Sequence, residues 1–152
     1  MSVDRSTPDL GALYQEVILD HYKRPRNRGG VDPNDVDIEM RNPSCGDEIR
    51  LQLRLEDGRI AAIGFSGVGC AISQASSSMM TDLVKGRTPE EALAIARRFT
   101  EMMHGDGDAA RDKALGQARA LQGVSKFPAR VKCALLAWDA LQESIKRMAR
   151  AG

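Results

Sequence analysis

A chain of 152 residues with 42% hydrophobic and 28% charged residues is long enough for one domain, residues 1–152, that buries a core without disulfide staples. Its 22 Lys and Arg stand against 21 Asp and Glu, and the resulting charge of +1 excludes a general electrostatic drive toward nucleic acid. No apolar run approaches the roughly 20 residues of a membrane helix, and Met1–Pro8 carry no apolar signal-peptide core, so the expectation is a cytoplasmic protein with no membrane partner.

Residues 1–7 read as a short flexible N-terminus. Thr7, Pro8 and Asp9 then signal a helix start, and Leu10, Leu13, Tyr14, Val17 and Ile18 recur at helical spacing, which predicts a helix running to about Tyr22. His21, Lys23 and Arg24 suit its C-terminal dipole, and Pro25 stops it. The following loop, with Arg24, Arg26 and Arg28, is the densest positive stretch. It reads either as a solvated helix end or as a docking surface for an acidic partner.

Val36, Ile38 and Met40 alternate with acids, and Ile49, Leu51, Leu53 and Leu55 alternate with polar residues, so each run predicts a strand with one buried face. Asp57-Gly58 predicts a hairpin into a third strand from about Ile60 to Phe65. The glycine-rich turn Gly64–Gly69 leads to a helix over about Ala71–Val84. It fits neither phosphate-binding glycine pattern, so nucleotide binding is not expected. Ser73, Ala75, Ser76 and Ser77 give that helix a small face suited to close packing rather than nucleophilic chemistry.

A capping box at Thr88–Glu91 starts a further helix with Ala92, Ile95, Ala96, Phe99, Met102 and Met103 on its apolar face. His104–Asp108 reads as a flexible linker, Ala109–Leu121 as a weak helix ending at Gly123, and the last helix as starting near Pro128 with Val131, Leu135, Trp138, Leu141, Ile145 and Met148 buried. The expected class is α+β: a small three-stranded antiparallel sheet packed against about five helices.

Three cysteines cannot all pair, and in a reducing compartment they read as ligands or reactive thiols. Cys45 shares a turn with Asp47, separated by Gly46, while Cys70 and Cys133 follow glycine or proline signals and are expected to open helices. An up-and-down strand pair returns the Cys70 turn to the same end of the sheet as the Cys45 turn. The cysteines are 25 and 63 residues apart (70 − 45 and 133 − 70), so only a folded domain would assemble a site from them; three unrelated buried cysteines are the alternative. Three thiols and a carboxylate form a tetrahedral zinc set, with Arg130 and Lys132 offsetting its negative charge. On this reading Cys45 and Asp47 form the mobile half of the coordination shell, Cys70 and Cys133 anchor it, and Arg130 supports Asp47 or a cysteine sulfur.

Leu19–Asn27, Asn42–Asp47, Gly67–Ser73 and Arg130–Cys133 together resemble the U-type iron–sulfur assembly proteins (SufU, IscU and the NifU N-terminal domain), and most closely the SufU type. The resemblance implies a fold of the SufE/IscU kind and zinc held by Cys45, Asp47, Cys70 and Cys133. It implies that Cys45 accepts sulfur from a cysteine desulfurase, for delivery to downstream iron–sulfur assembly machinery. The chain would then be a sulfurtransferase-type partner of the desulfurase rather than an independent enzyme, and a monomer or weak dimer. Relatives of the IscU type carry a histidine just before the last cysteine, where this chain has Lys132. An ammonium is a poor ligand for a soft metal, which ranks sulfur transfer ahead of a scaffold holding iron in a [2Fe-2S] cluster, and both ahead of a structural zinc module.

Overall fold

The computed structural model describes residues 10–44 and 46–151. The predicted helix start at Thr7–Asp9, the N-terminal 1–7 and Cys45 lie outside the described residues. Helix α1 spans Leu10–Lys23, strands β1 Val36–Asn42, β2 Asp47–Glu56 and β3 Arg59–Ser66, and helices α2 Ala71–Val84 and α3 Pro89–Met103. A short α4, Gly107–Ala110, a 3₁₀ segment, Lys113–Lys126, and the long α5, Pro128–Ala151, complete the chain.

The strands form one antiparallel sheet in the order β1-β2-β3, with Met40 opposite Ile49, Asn42 opposite Asp47, and Leu51 opposite Phe65. Asp57 and Gly58 both take positive φ in the β2–β3 turn, as a two-residue turn matched to strand twist requires. Alternation places Val36, Ile38, Ile49, Leu51, Leu53, Ile60, Ile63 and Phe65 on the covered face, which α5 packs against along β1 and β2.

Helix α2 is the axis of the helical layer, packed against α1, α5 and the 3₁₀ segment. It is polar yet buried, because small hydroxyl side chains allow close approach and each finds a partner. Ser76 Oγ donates to the Ala134 carbonyl at 2.6 Å and accepts from Trp138 Nε1 at 3.1 Å, and Ser77 Oγ donates to the Ser73 carbonyl. Trp138 stacks on Phe99 at 4.5 Å between ring centres. The capping box at Thr88 and Glu91 forms as expected, and the six apolar residues expected on α3 are all buried, Met102 and Met103 as core filler.

Three expectations need correction. His104–Asp108 is not a loose linker, because the Asp106 carboxylate accepts the Asp108 and Ala109 N–H groups and caps α4. The weak helix expected over Ala109–Leu121 is instead α4 followed by 3₁₀ turns, since Asp112 starts a new cap at Ala114 N–H and Gly116 breaks the run at φ 50°. His21, expected to suit the C-terminal dipole of α1, is turned inward and buried. It falls one turn after Val17 and Ile18 on the inward face of α1, where Nδ1 meets Ser78 Oγ at 2.7 Å and Nε2 meets Gln117 Oε1 at 2.5 Å. Among the described residues no helix is long and apolar enough to cross a membrane.

Candidate metal centre

Three of the four expected ligands converge. Ligand atoms of Asp47, Cys70 and Cys133 all lie within 4.8 Å of one another, although the residues come from a strand, a helix cap and a helix interior. A tetrahedral ion with sulfur at about 2.3 Å would set neighbouring sulfurs about 3.8 Å apart, so the trio fits zinc with little contraction. The donor set suits the ion as well, since thiolates favour zinc over the harder divalent cations.

Asp47 is the first residue of β2 and is 2% exposed. Its Oδ1 accepts the Cys70 backbone N–H at 3.0 Å, and its Oδ2 lies 3.7 Å from Cys70 Sγ. Glu48 N–H also donates to the Val68 carbonyl at 2.8 Å, so the start of β2 is bonded to the turn that delivers Cys70. Asp47 therefore belongs with the fixed part of the site and not with a mobile loop.

Cys70 is the N-cap of α2 and is half-buried, and its carbonyl accepts Gln74 N–H and Ser73 Oγ–H. Cys133 is 1% exposed and stands in the second turn of α5, with Sγ 3.9 Å from the Ala129 carbonyl. The expectation that Cys133 opens a helix is thus corrected: α5 begins at Pro128, and unpaired N–H groups and dipole stabilisation belong to the first turn. Neither Cys70 nor Cys133 is in a disulfide.

The turn that carries Cys45 joins Asn42 to Asp47. Asn42 Oδ1 accepts Ser44 N–H at 3.0 Å, its carbonyl accepts Gly46 N–H at 2.8 Å, and Gly46 takes φ 73°, a conformation that costs glycine little. Arg130 is exposed and lines a hollow with Cys70, Ala71, Ile72 and Phe127. Lys132 lines a separate hollow with Asn42 and Pro43, beside the Cys45 turn.

The basic loop after α1 is mostly engaged within the fold. Arg24 and Arg26 both pair with Asp20, at 2.5 and 2.7 Å, and the hydrogen bonds from Arg26 and then Arg24 hold the Asp20 carboxyl below the usual range. Arg28 lies over the Phe65 ring, donates to Gln74 Oε1 at 2.8 Å and reaches the Gly67 carbonyl at 3.4 Å. Sequence separation hid this link between the basic loop and the Cys70 turn.

Residues 13–134 match the family described as NifU-like N terminal domain. The chain is 50% identical over 142 residues to the iron–sulfur cluster assembly scaffold protein IscU of Streptococcus pyogenes serotype M1, covering 93% of this chain and 88% of that one. It is 48% identical over 140 residues to the zinc-dependent sulfurtransferase SufU of Bacillus subtilis strain 168, covering 91% and 93%. A solved structure from Fervidobacterium islandicum AW-1, proposed in its name as an iron–sulfur scaffold for the SUF system, superposes with a TM-score of 0.80 at 35% identity over 88% of this chain and 97% of that one. With a NifU-like N-terminal protein of Brucella abortus the likeness, a TM-score of 0.83 at 24% identity over 91% and 96%, is one of fold alone. With that match over most of its length, this α+β chain belongs to the family of NifU-like N-terminal domains.

Proposed function

We propose that the protein is a zinc-dependent sulfur acceptor that takes persulfide sulfur from a cysteine desulfurase and passes it to iron–sulfur assembly machinery in the cytoplasm. The observation that carries this reading is the convergence of Asp47, Cys70 and Cys133, a carboxylate and two thiols, beside the turn that holds Cys45. Lys132 before the last cysteine, where a scaffold of the IscU type has histidine, favours transfer over cluster building.

Asp47, Cys70 and Cys133 would hold the ion with Cys45 as the fourth ligand, and zinc supplies a redox-inert Lewis acid that keeps the thiols deprotonated. Cys45, on a short turn, is the ligand that reacts. Its thiolate attacks the outer sulfur of the donor's persulfide, a sulfur–sulfur bond forms at Cys45, the donor's own sulfur–sulfur bond breaks, and the donor cysteine leaves as a thiolate. No net oxidant is needed. Arg130, on the Cys70 side of the site, balances negative charge while the persulfide approaches.

Mass spectrometry after incubation with desulfurase and cysteine is expected to find one added sulfur on Cys45, and Cys45→Ala is expected to abolish stimulation of desulfurase turnover while keeping the fold. Sulfur on Cys70 or Cys133, or full stimulation by Cys45→Ala, overturns the assignment. The scaffold named in the streptococcal relative gives a different result: a red-brown protein containing iron and sulfide in place of colourless protein with about one zinc.

A further inference from the structure

Gly69, immediately before Cys70, has no positive φ to explain it, unlike Gly46 at 73°. Its requirement is space. A Cβ built on Gly69 would stand 2.9 Å from Asp47 Oδ1, 3.1 Å from Asp47 Cγ and 2.2 Å from Ser73 Oγ. The bare Cα is therefore held between a buried carboxylate and a buried hydroxyl. The same Oδ1 accepts the Cys70 N–H at 3.0 Å, so the atom that a methyl group would displace is the one that fixes the carboxylate's orientation.

We propose that Gly69 is a positioning residue of the metal centre: by lacking a side chain it lets the Asp47 carboxylate lie across the cap of α2, with one oxygen on the Cys70 N–H and the other turned to the thiols. This rests on the metal-site reading above. The two contacts respond differently to added bulk. Ser73 Oγ donates to the Cys70 carbonyl at 3.1 Å and can rotate about one bond without moving a ligand. The Asp47 carboxylate, at 2% exposure, can yield only by leaving the Cys70 N–H, which moves its oxygens relative to Cys70 Sγ and Cys133 Sγ. Groups that orient a ligand typically contribute about 10–100-fold to metal affinity.

The test is a double-mutant cycle read by zinc competition against a chromophoric chelator and by the visible spectrum of the cobalt(II)-substituted protein. Gly69→Ala is expected to weaken zinc about 10–100-fold and to give a cobalt spectrum like that of Asp47→Ala. The Gly69→Ala/Asp47→Ala pair is expected to bind no more weakly than Asp47→Ala alone, because both act through one carboxylate. Native affinity with a native cobalt spectrum in Gly69→Ala overturns the proposal, as does an equal loss whether or not Asp47 is present. Should Gly69→Ala fail to fold, Gly69→Ala/Ser73→Ala removes the tightest contact and keeps the one with Asp47. The same outcomes apply to it against Ser73→Ala, and its failure to fold would mean that Gly69 serves the fold alone. If the native protein binds no zinc, the metal-site reading fails first, which separates the two conclusions.

Discussion

Asp47 and Cys70 on one side of the site, and Cys133 on the other, are held by different means. Asp47 and Cys70 occupy a strand start and a helix cap, tied to each other by the hydrogen bond from Cys70 N–H and by the Glu48–Val68 bond beneath it. Cys133 is carried by a 24-residue helix that packs on α2, α3 and the sheet, and is 1% exposed, so its position follows from the placing of that whole helix. One half of the centre is thus local and depends on a few hydrogen bonds, and the other is global and depends on the fold. Losing a ligand should have different consequences on the two sides.

The contrast is expected to be plainest between Cys133 and Cys70. Cys133→Ala should lose zinc and, even compared with metal-stripped native protein, lower stability by about 1 kcal/mol through lost packing, read as a lower melting midpoint. Cys70→Ala should lose zinc with little further loss, because Cys70 is only half-buried. Equal midpoints for the two variants without metal would remove the distinction.

Asp47 sharpens it. Asp47→Ala should cost about 1–2 kcal/mol without metal by leaving the Cys70 N–H unbonded. Asp47→Asn keeps an acceptor there and should melt close to native while binding zinc more weakly.

A smaller effect is expected in the basic loop. Arg24, with its side chain 78% exposed, can be reversed to Glu with little change in melting, and should slow desulfurase association several-fold at low salt and hardly at all at high salt. Reversal of Arg28 should also lower the melting midpoint, since it removes the bonds to Gln74 and Gly67. Unchanged association of Arg24→Glu at low salt would show that the loop serves the fold only.

The smallest effect is expected on β1, at Asp37. Hydrogen bonds first from Arg50 and then from Gln52 hold the Asp37 carboxyl at about 2, below its usual 3.8. A lowered folded-state value stabilises above the unfolded value, so this contribution is present at neutral pH and is lost as the pH falls from about 4 to about 2. Exposure limits it to about 0.5 kcal/mol, so Asp37→Asn should slightly flatten the acid limb of a stability–pH curve.

The sheet was legible in the sequence because one-sided burial writes a period of two into Val36–Met40 and Ile49–Leu55, and Asp57-Gly58 marks the turn between the second and third strands. Helix α3 was equally legible from its capping box and apolar stripe. The chain after Met103 was harder, because side-chain caps at Asp106 and Asp112 and a backbone break at Gly116 carry no hydrophobic period. Within the candidate centre, residue types pointed to Asp47, Cys70 and Cys133, which the fold brings together, but the burial of Asp47 and its bond to Cys70 depend on how β2 meets α2 across the sheet end. The burial of His21 was missed, since its place near the end of α1 suited the helix dipole and its partners Ser78 and Gln117 come from distant segments.

The chain has one tryptophan, Trp138, fully buried and bonded through Nε1 to Ser76 on α2. It stands on the same helix as Cys133, beyond it by little more than one turn, and its ring is stacked on Phe99. Its fluorescence therefore reports the seam between α2 and α5 without any added label: blue-shifted emission while the seam is closed, and a shift to the red when water reaches the indole. Following that colour as a chelator withdraws the metal would time the opening of the seam against the release of the ion.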